Sequence, residues 1–234
     1  MTTHCANCGN DNVAEYCARC GQRGDVALRP LTDWLKELFD SLTDLDLRAL
    51  RTLRNIVFRP GQATRLYAAG QRASQTPPLR LYVVASAIVI AIMSFAGFFD
   101  SSTVTGIEDP ELRQRFELLF PLLNFLAPLF IVPWLKLLFP KRLLQLHFVM
   151  ALHYCTFIVV ATSPLVLLLS TPQYLLVGQM LALLVSTVYL VVALRRCYQI
   201  GWWRAIASGG LATVGYYLTL ALLPWGVIVA FGGT

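Results

Sequence analysis

Charge is scarce in this 234-residue chain: 14% of its residues are Asp, Glu, Lys or Arg, while 56% are hydrophobic and the mean hydropathy is +0.60. That balance excludes an ordinary soluble globular protein and places the chain in the membrane class. Several chemistries are also missing. The long uncharged runs hold no carboxylate, and there is neither a Gly-rich phosphate loop nor a His-Glu-x-x-His pair, so the chain reads as a non-enzyme. No apolar leader precedes the first cysteines, because the first long apolar run begins near Leu79. The N-terminus is therefore expected to stay in a reducing cytoplasm, where thiolates bind metal instead of pairing.

What charge there is lies unevenly. Residues 1–80 hold 11 of the 19 Lys and Arg and 8 of the 13 Asp and Glu. At the head of this half stand two tight cysteine pairs, Cys5-Ala-Asn-Cys8 and Cys17-Ala-Arg-Cys20, each followed by a glycine, Gly9 and Gly21. Knuckle turns of this kind need a residue that tolerates positive φ, so that backbone amides can face the thiolates. The pattern predicts a β zinc ribbon over residues 1–24 with one structural Zn²⁺ on Cys5, Cys8, Cys17 and Cys20; iron held in a rubredoxin-like manner is the competing occupant. Four thiolates leave no open position for water or substrate. They also lower the +3 of residues 1–80 (11 minus 8) to about +1, a poor footprint for nucleic acid. Cys155 and Cys197 read as ordinary buried thiols.

Beyond the soluble part, uncharged runs match the thickness of a bilayer core. They predict an all-α bundle over 79–234 with five spans at about 79–99, 118–138, 146–169, 174–194 and 205–231. The run Leu143–Leu194 is too long for one crossing and must turn near Ser170-Thr171-Pro172-Gln173. Pro121, Pro128 and Pro133 make the second span the one expected to have an irregular backbone. Arg80, then Lys141 and Arg142, then Arg195, Arg196 and Arg204 fall on alternate connections. The positive-inside rule puts these in the cytoplasm, with the C-terminus on the opposite side.

Residues 25–78 read as cytoplasmic amphipathic helices. Leu31, Trp34, Leu35, Leu38, Phe39 and Leu42 recur at helical spacing, and a second stretch carries Leu47, Leu50, Leu53 and Val57 beside Arg48, Arg51, Arg54 and Arg59. Those four arginines are candidate contacts for anionic headgroups. The competing reading packs the helices on the bundle itself.

Taken together, Tyr16-Cys17-Ala18-Arg19-Cys20-Gly21-Gln22, Arg59-Pro60-Gly61 with Tyr67 and Gly70-Gln71-Arg72, His147 to His153 with Phe157, and Tyr189 to Tyr198 resemble a family of bacterial inner-membrane proteins catalogued as domain of unknown function 3667. The resemblance implies this architecture and a zinc ribbon, and carries no activity.

Inside the bundle, Asn124, His147, His153 and Tyr154 form a candidate polar site. His147 and His153 stand about 120° apart around a helix, so they do not share a metal. His153 lies more than a turn deeper than His147, and a neighbouring helix is expected to supply its partner from among Asn124, Gln179 and Tyr189. The small residues Ser208, Gly209, Gly210, Thr213 and Gly215 predict close helix packing. Two functions follow. One is a membrane-anchored interaction or scaffold protein whose ribbon docks a cytoplasmic protein or a second copy; the other is a small transporter or lipid-handling protein using Asn124 and His153.

Overall fold

The computed structural model describes residues 4–11, 15–24, 47–98, 109–168, 171 and 173–231. The expected helix around Trp34 and the Pro172 corner lie outside these residues. The helices are α1 Leu47–Phe58, α2 Gln62–Ala68, α3 Pro78–Phe95, α4 Pro110–Leu138, α5 Leu144–Phe157, α6 Ser163–Leu168, α7 Leu175–Tyr198 and α8 Trp202–Phe231, with a π turn Ile158–Thr162 between α5 and α6. Among the described residues five stretches are long and apolar enough to cross a membrane, the third being α5 to α6 taken together. Of that third stretch 61% is buried, against 22–39% for the others, so it is the axis around which the bundle is built. Outward-facing Ile88, Ile92, Leu122, Leu129, Leu184, Val188, Leu211 and Leu218 give the remaining stretches an apolar exterior compatible with lipid.

Helix ends follow local chemistry. Asp109 accepts the Glu111 amide through Oδ1 (2.8 Å) and Pro110 takes the first helical position, so α4 starts well before the apolar run that predicted its start at 118. The charges Glu111 and Arg115 pair with each other on this extra turn, at 2.7 Å, instead of lying in a loop. Despite three internal prolines, α4 is one helix. The irregular backbone falls in the third stretch, where the Ser163 amide reaches five residues back to the Ile158 carbonyl. Thr162 donates its hydroxyl to that same carbonyl (2.7 Å), and Pro164, which cannot donate, follows Ser163.

Small residues on α8 do set close approaches. A β-carbon on Gly209 would stand 2.6 Å from Val191 Cγ2 and 3.1 Å from Val191 Cα, and one on Gly215 would stand 2.4 Å from the Trp134 ring. Gly210, next in sequence, has open space around it. Opposite signs are therefore expected: Gly209→Ala lowers the melting temperature in detergent, at a cost of about 1–3 kcal/mol, while Gly210→Ala is neutral or stabilises by up to about 1 kcal/mol. Equal melting temperatures for the two variants would contradict this packing.

The connection from α1 to α2 is a tight turn at Arg59-Pro60-Gly61-Gln62, closed by the Gln62 amide on the Arg59 carbonyl at 3.0 Å. Gly61 has φ 77° and ψ −9°, the third position of a type II turn, with proline at the second. Both short helices pack against α5, and α2 also against α7. On α1, Thr52 and Ile56 face inward while Arg48, Arg51 and Arg54 face out, as does Arg59 in the turn. Ala63 and Thr64 of α2 are fully enclosed. Over 47–68 the segment therefore packs on the bundle with its arginines outermost.

Candidate metal centre and buried polar sites

Two knuckles build the cysteine cluster, and the second repeats the first twelve residues on. The Cys5 amide donates to Asn10 O (2.8 Å) and the Gly9 amide to Cys5 O (2.8 Å); the Cys17 amide donates to Gln22 O (2.7 Å) and the Gly21 amide to Cys17 O (2.8 Å). Gly9 and Gly21 sit at φ 71° and 70°, as their place in the turn predicts. One antiparallel bridge closes each knuckle, His4 with Asp11 and Tyr16 with Arg23. The β ribbon is thus reduced, among the described residues, to two isolated bridges without strands. Knuckles this short close on a single pair.

All four sulfurs lie within 4.8 Å of one another, with Cys5 to Cys20 and Cys8 to Cys17 both at 3.6 Å. The edge of an S₄ tetrahedron with a metal–sulfur bond of about 2.3 Å is about 3.8 Å, so the four cysteines can hold one metal ion. Their protonation is divided. The Arg19 and Cys20 amides aimed at Cys17 hold its thiol down at about 6. Cys5 is also lowered, chiefly by the Cys8 amide. The Asn10 amide pulls Cys8 down, but desolvation and the three neighbouring sulfurs carry it up to about 12.

The four residues of the candidate bundle site have different partners. His147 is a satisfied structural imidazole: Nε2 donates to the Phe139 carbonyl (3.2 Å) and Nδ1 accepts from the Tyr198 hydroxyl (2.5 Å). These bonds tie the α4–α5 connection to the end of α7, where Arg142 also donates to the Tyr198 carbonyl at 2.9 Å. Lys136 caps the end of α4 on the carbonyls of Pro140 (2.8 Å) and Arg142 (3.0 Å), as cations do at helix C-termini. Asn124 is half-buried, and its carbonyl accepts the Tyr82 hydroxyl while its Nδ2 has no partner. Tyr154 lies among Tyr189 and Tyr216, at 6.2 and 5.9 Å between ring centroids, with its hydroxyl unbonded.

His153 is buried and hydrogen-bonded, but not by a neighbouring span. Its Nδ1 pairs with Thr64 Oγ1 of α2 at 2.8 Å, and Nε2 is enclosed without a partner. Gln179 faces outward and Tyr189 is stacked on Phe157 at 3.8 Å, so neither reaches the imidazole. Thr64 carried no sequence signal, being one hydroxyl in a short stretch 89 residues away. Because the pair is buried, Thr64→Val and His153→Leu should each lower bundle stability by about 1–3 kcal/mol, and the double variant by less than the sum. Strict additivity in detergent melting would show that the two side chains are not coupled.

Gln22 is the second functional side chain that the sequence left without a role. It is 5% exposed. Its Nε2 donates to the Gly70 carbonyl (2.8 Å), and its Oε1 accepts the amides of Arg72 (3.0 Å) and Ala73 (3.1 Å). The knuckle is thereby fastened to the turn that follows α2.

A family model described as "Protein of unknown function (DUF3667)" matches residues 46–90, the segment from α1 through the first part of α3. No curated protein and no solved structure matches the chain.

Proposed function

We propose that the chain is a membrane-anchored scaffold without catalytic activity, presenting a zinc-bound ribbon on the cytoplasmic face of a bacterial inner membrane to a protein partner or a second copy. The observation that carries this reading is that the cysteine cluster is closed on four sulfurs and bolted through Gln22 to the end of the bundle that bears the basic connections. A four-thiolate site has no position for substrate, so its use is structural. Five crossings would leave the two ends of the chain on opposite sides, with Arg48, Arg51, Arg54 and Arg59 facing anionic headgroups on the inner side. Tyr16, 55% exposed beside the cluster, is available to a partner. Photo-crosslinking in cells from a reactive residue in place of Tyr16 tests this. A discrete protein adduct that disappears with Cys17→Ser supports the scaffold, whereas adducts to lipid alone overturn it.

A second reading, transport or lipid handling, draws on the unpartnered buried atoms His153 Nε2 and Tyr154 OH with the π turn that begins four residues after Tyr154, and on the unpartnered Asn124 Nδ2 of α4. Irregular backbone within a span is a feature of substrate paths. Flux of solute or lipid in reconstituted vesicles, abolished by His153→Gln at unchanged stability, would favour it.

A further inference from the structure

The two knuckles are near-repeats, yet among the described residues only the second makes side-chain hydrogen bonds to the rest of the protein. Asn10, at the position equivalent to Gln22, spends its amide on the neighbouring Asp11 carbonyl at 3.0 Å. Gln22 reaches 48 to 51 residues along the chain for three hydrogen bonds. Among the described residues of the ribbon, only Cys5, Cys17 and Gln22 are buried. Two are candidate metal ligands and the third is the clamp, so the described part of the ribbon has no apolar core that could hold Gln22 in place by itself.

On the far side of the clamp the chain is held just as closely. The Gln71 amide bonds the Leu66 carbonyl and the Gly70 amide the Tyr67 carbonyl, both at 3.0 Å, and Gly70 has φ 82°. That is the six-to-one and five-to-two pattern that ends a helix, here α2. At the other end of α2, Gly61 lies against Ala193; in its middle, Thr64 bonds His153. The Thr76 amide then returns to Thr52 Oγ1 on α1 at 3.0 Å.

From this continuity we infer that Gln22 is a metal-dependent latch: occupation of the four-cysteine site fixes the second knuckle, and the knuckle locks the turn at residues 70–73 and with it the seat of α2 in the bundle. The inference rests on the reading of the cluster as a metal site. Its mechanism is geometric. The Gln22 carbonyl closes the knuckle on the Cys17 amide, and Cys20 lies two residues before it, so the Gln22 backbone is positioned only while the knuckle is closed. Linkage makes the effect reciprocal: whatever metal adds to the docking of α2, docking adds to metal affinity.

The test uses the full chain in detergent, loaded with zinc chloride or stripped with a chelator, and reads hydrogen exchange over residues 62–73 alongside metal content. In the wild type, stripping should speed exchange across this segment at least tenfold. Gln22→Ala should still bind one equivalent of zinc, since the backbone carbonyl that closes the knuckle remains, but with affinity lowered by about tenfold and with exchange fast whether or not zinc is present. Gln22→Glu, which keeps the acceptor for both amides and loses only the donor to Gly70, should fall between the two. Zinc-responsive protection in Gln22→Ala equal to that of the wild type overturns the latch, as does a wild type that binds zinc fully without any change in exchange. Wild-type protein that takes up less than half an equivalent overturns the metal site itself, a result separable from the others because metal content is measured first.

Discussion

Purified wild-type protein should hold one equivalent of zinc, and Cys17→Ser less than one tenth. A four-thiolate structural site is worth about 10–16 kcal/mol at neutral pH, so loss of one ligand in four removes about 3–4 kcal/mol, or two to three powers of ten in affinity. Cys17 is the severe case, because the Arg19 and Cys20 amides hold it ionised at neutral pH, with its thiol at about 6. Serine at that place has no thiolate to offer. The same argument fixes the pH dependence. Cys8, carried up to about 12, must release its proton when metal binds, while acidification below about 6 returns a proton to Cys17. Both push one way: zinc affinity rises with pH and is lost on acidification. Elemental analysis and chelator competition at pH 6 and pH 8 check this. A full equivalent in Cys17→Ser, or equal affinity at the two pH values, would refute the assignment of these four sulfurs as ligands.

Gly61→Ala should destabilise the bundle by about 2–5 kcal/mol, although it adds one methyl group. Two costs coincide. A residue with a β-carbon held at φ 77° is strained by about 1–2 kcal/mol. The added carbon would also stand 2.6 Å from the Ala193 carbonyl oxygen and 2.9 Å from Ala193 Cα, and backbone cannot swing aside as a side chain can. Forced separation adds about 1–3 kcal/mol and draws α2 away from α7, loosening the bond of Thr64 to His153. Gly201→Ala is the control, since nothing lies within 4 Å of the carbon it would add and its φ is not positive. Detergent melting of the two variants decides the matter. A Gly61→Ala protein that melts with the wild type would mean that the turn does not touch α7.

Much of this architecture was written in local chemistry. Spacing alone carried the two knuckles, because metal ligands on one short turn must be neighbours in the chain and the turn demands a glycine at its end. Run length carried the five apolar stretches, since length and hydropathy are properties of each stretch by itself. The small-residue stripe around Gly209 was likewise legible, from composition. Boundaries were less legible: α4 begins at Pro110 because Asp109 caps it, and hydropathy does not register a cap.

What the tertiary structure alone decided is which polar group meets which. His153 was expected to find a partner on a neighbouring helix among Asn124, Gln179 and Tyr189; the helix is α2 and the partner Thr64, 89 residues earlier. His147, Asn124 and Tyr154 share its polarity but not its surroundings. Gln22 stood in plain view beside Cys20, yet a glutamine side chain says nothing about the carbonyl and two amides it will reach once the chain has folded. A sequence therefore specifies the demand of each group for a partner, through its chemistry, and the length of each apolar element, through its run. The partner itself is chosen by the packing of elements distant in sequence, because hydrogen bonds discriminate by distance and angle that only the assembled helices define.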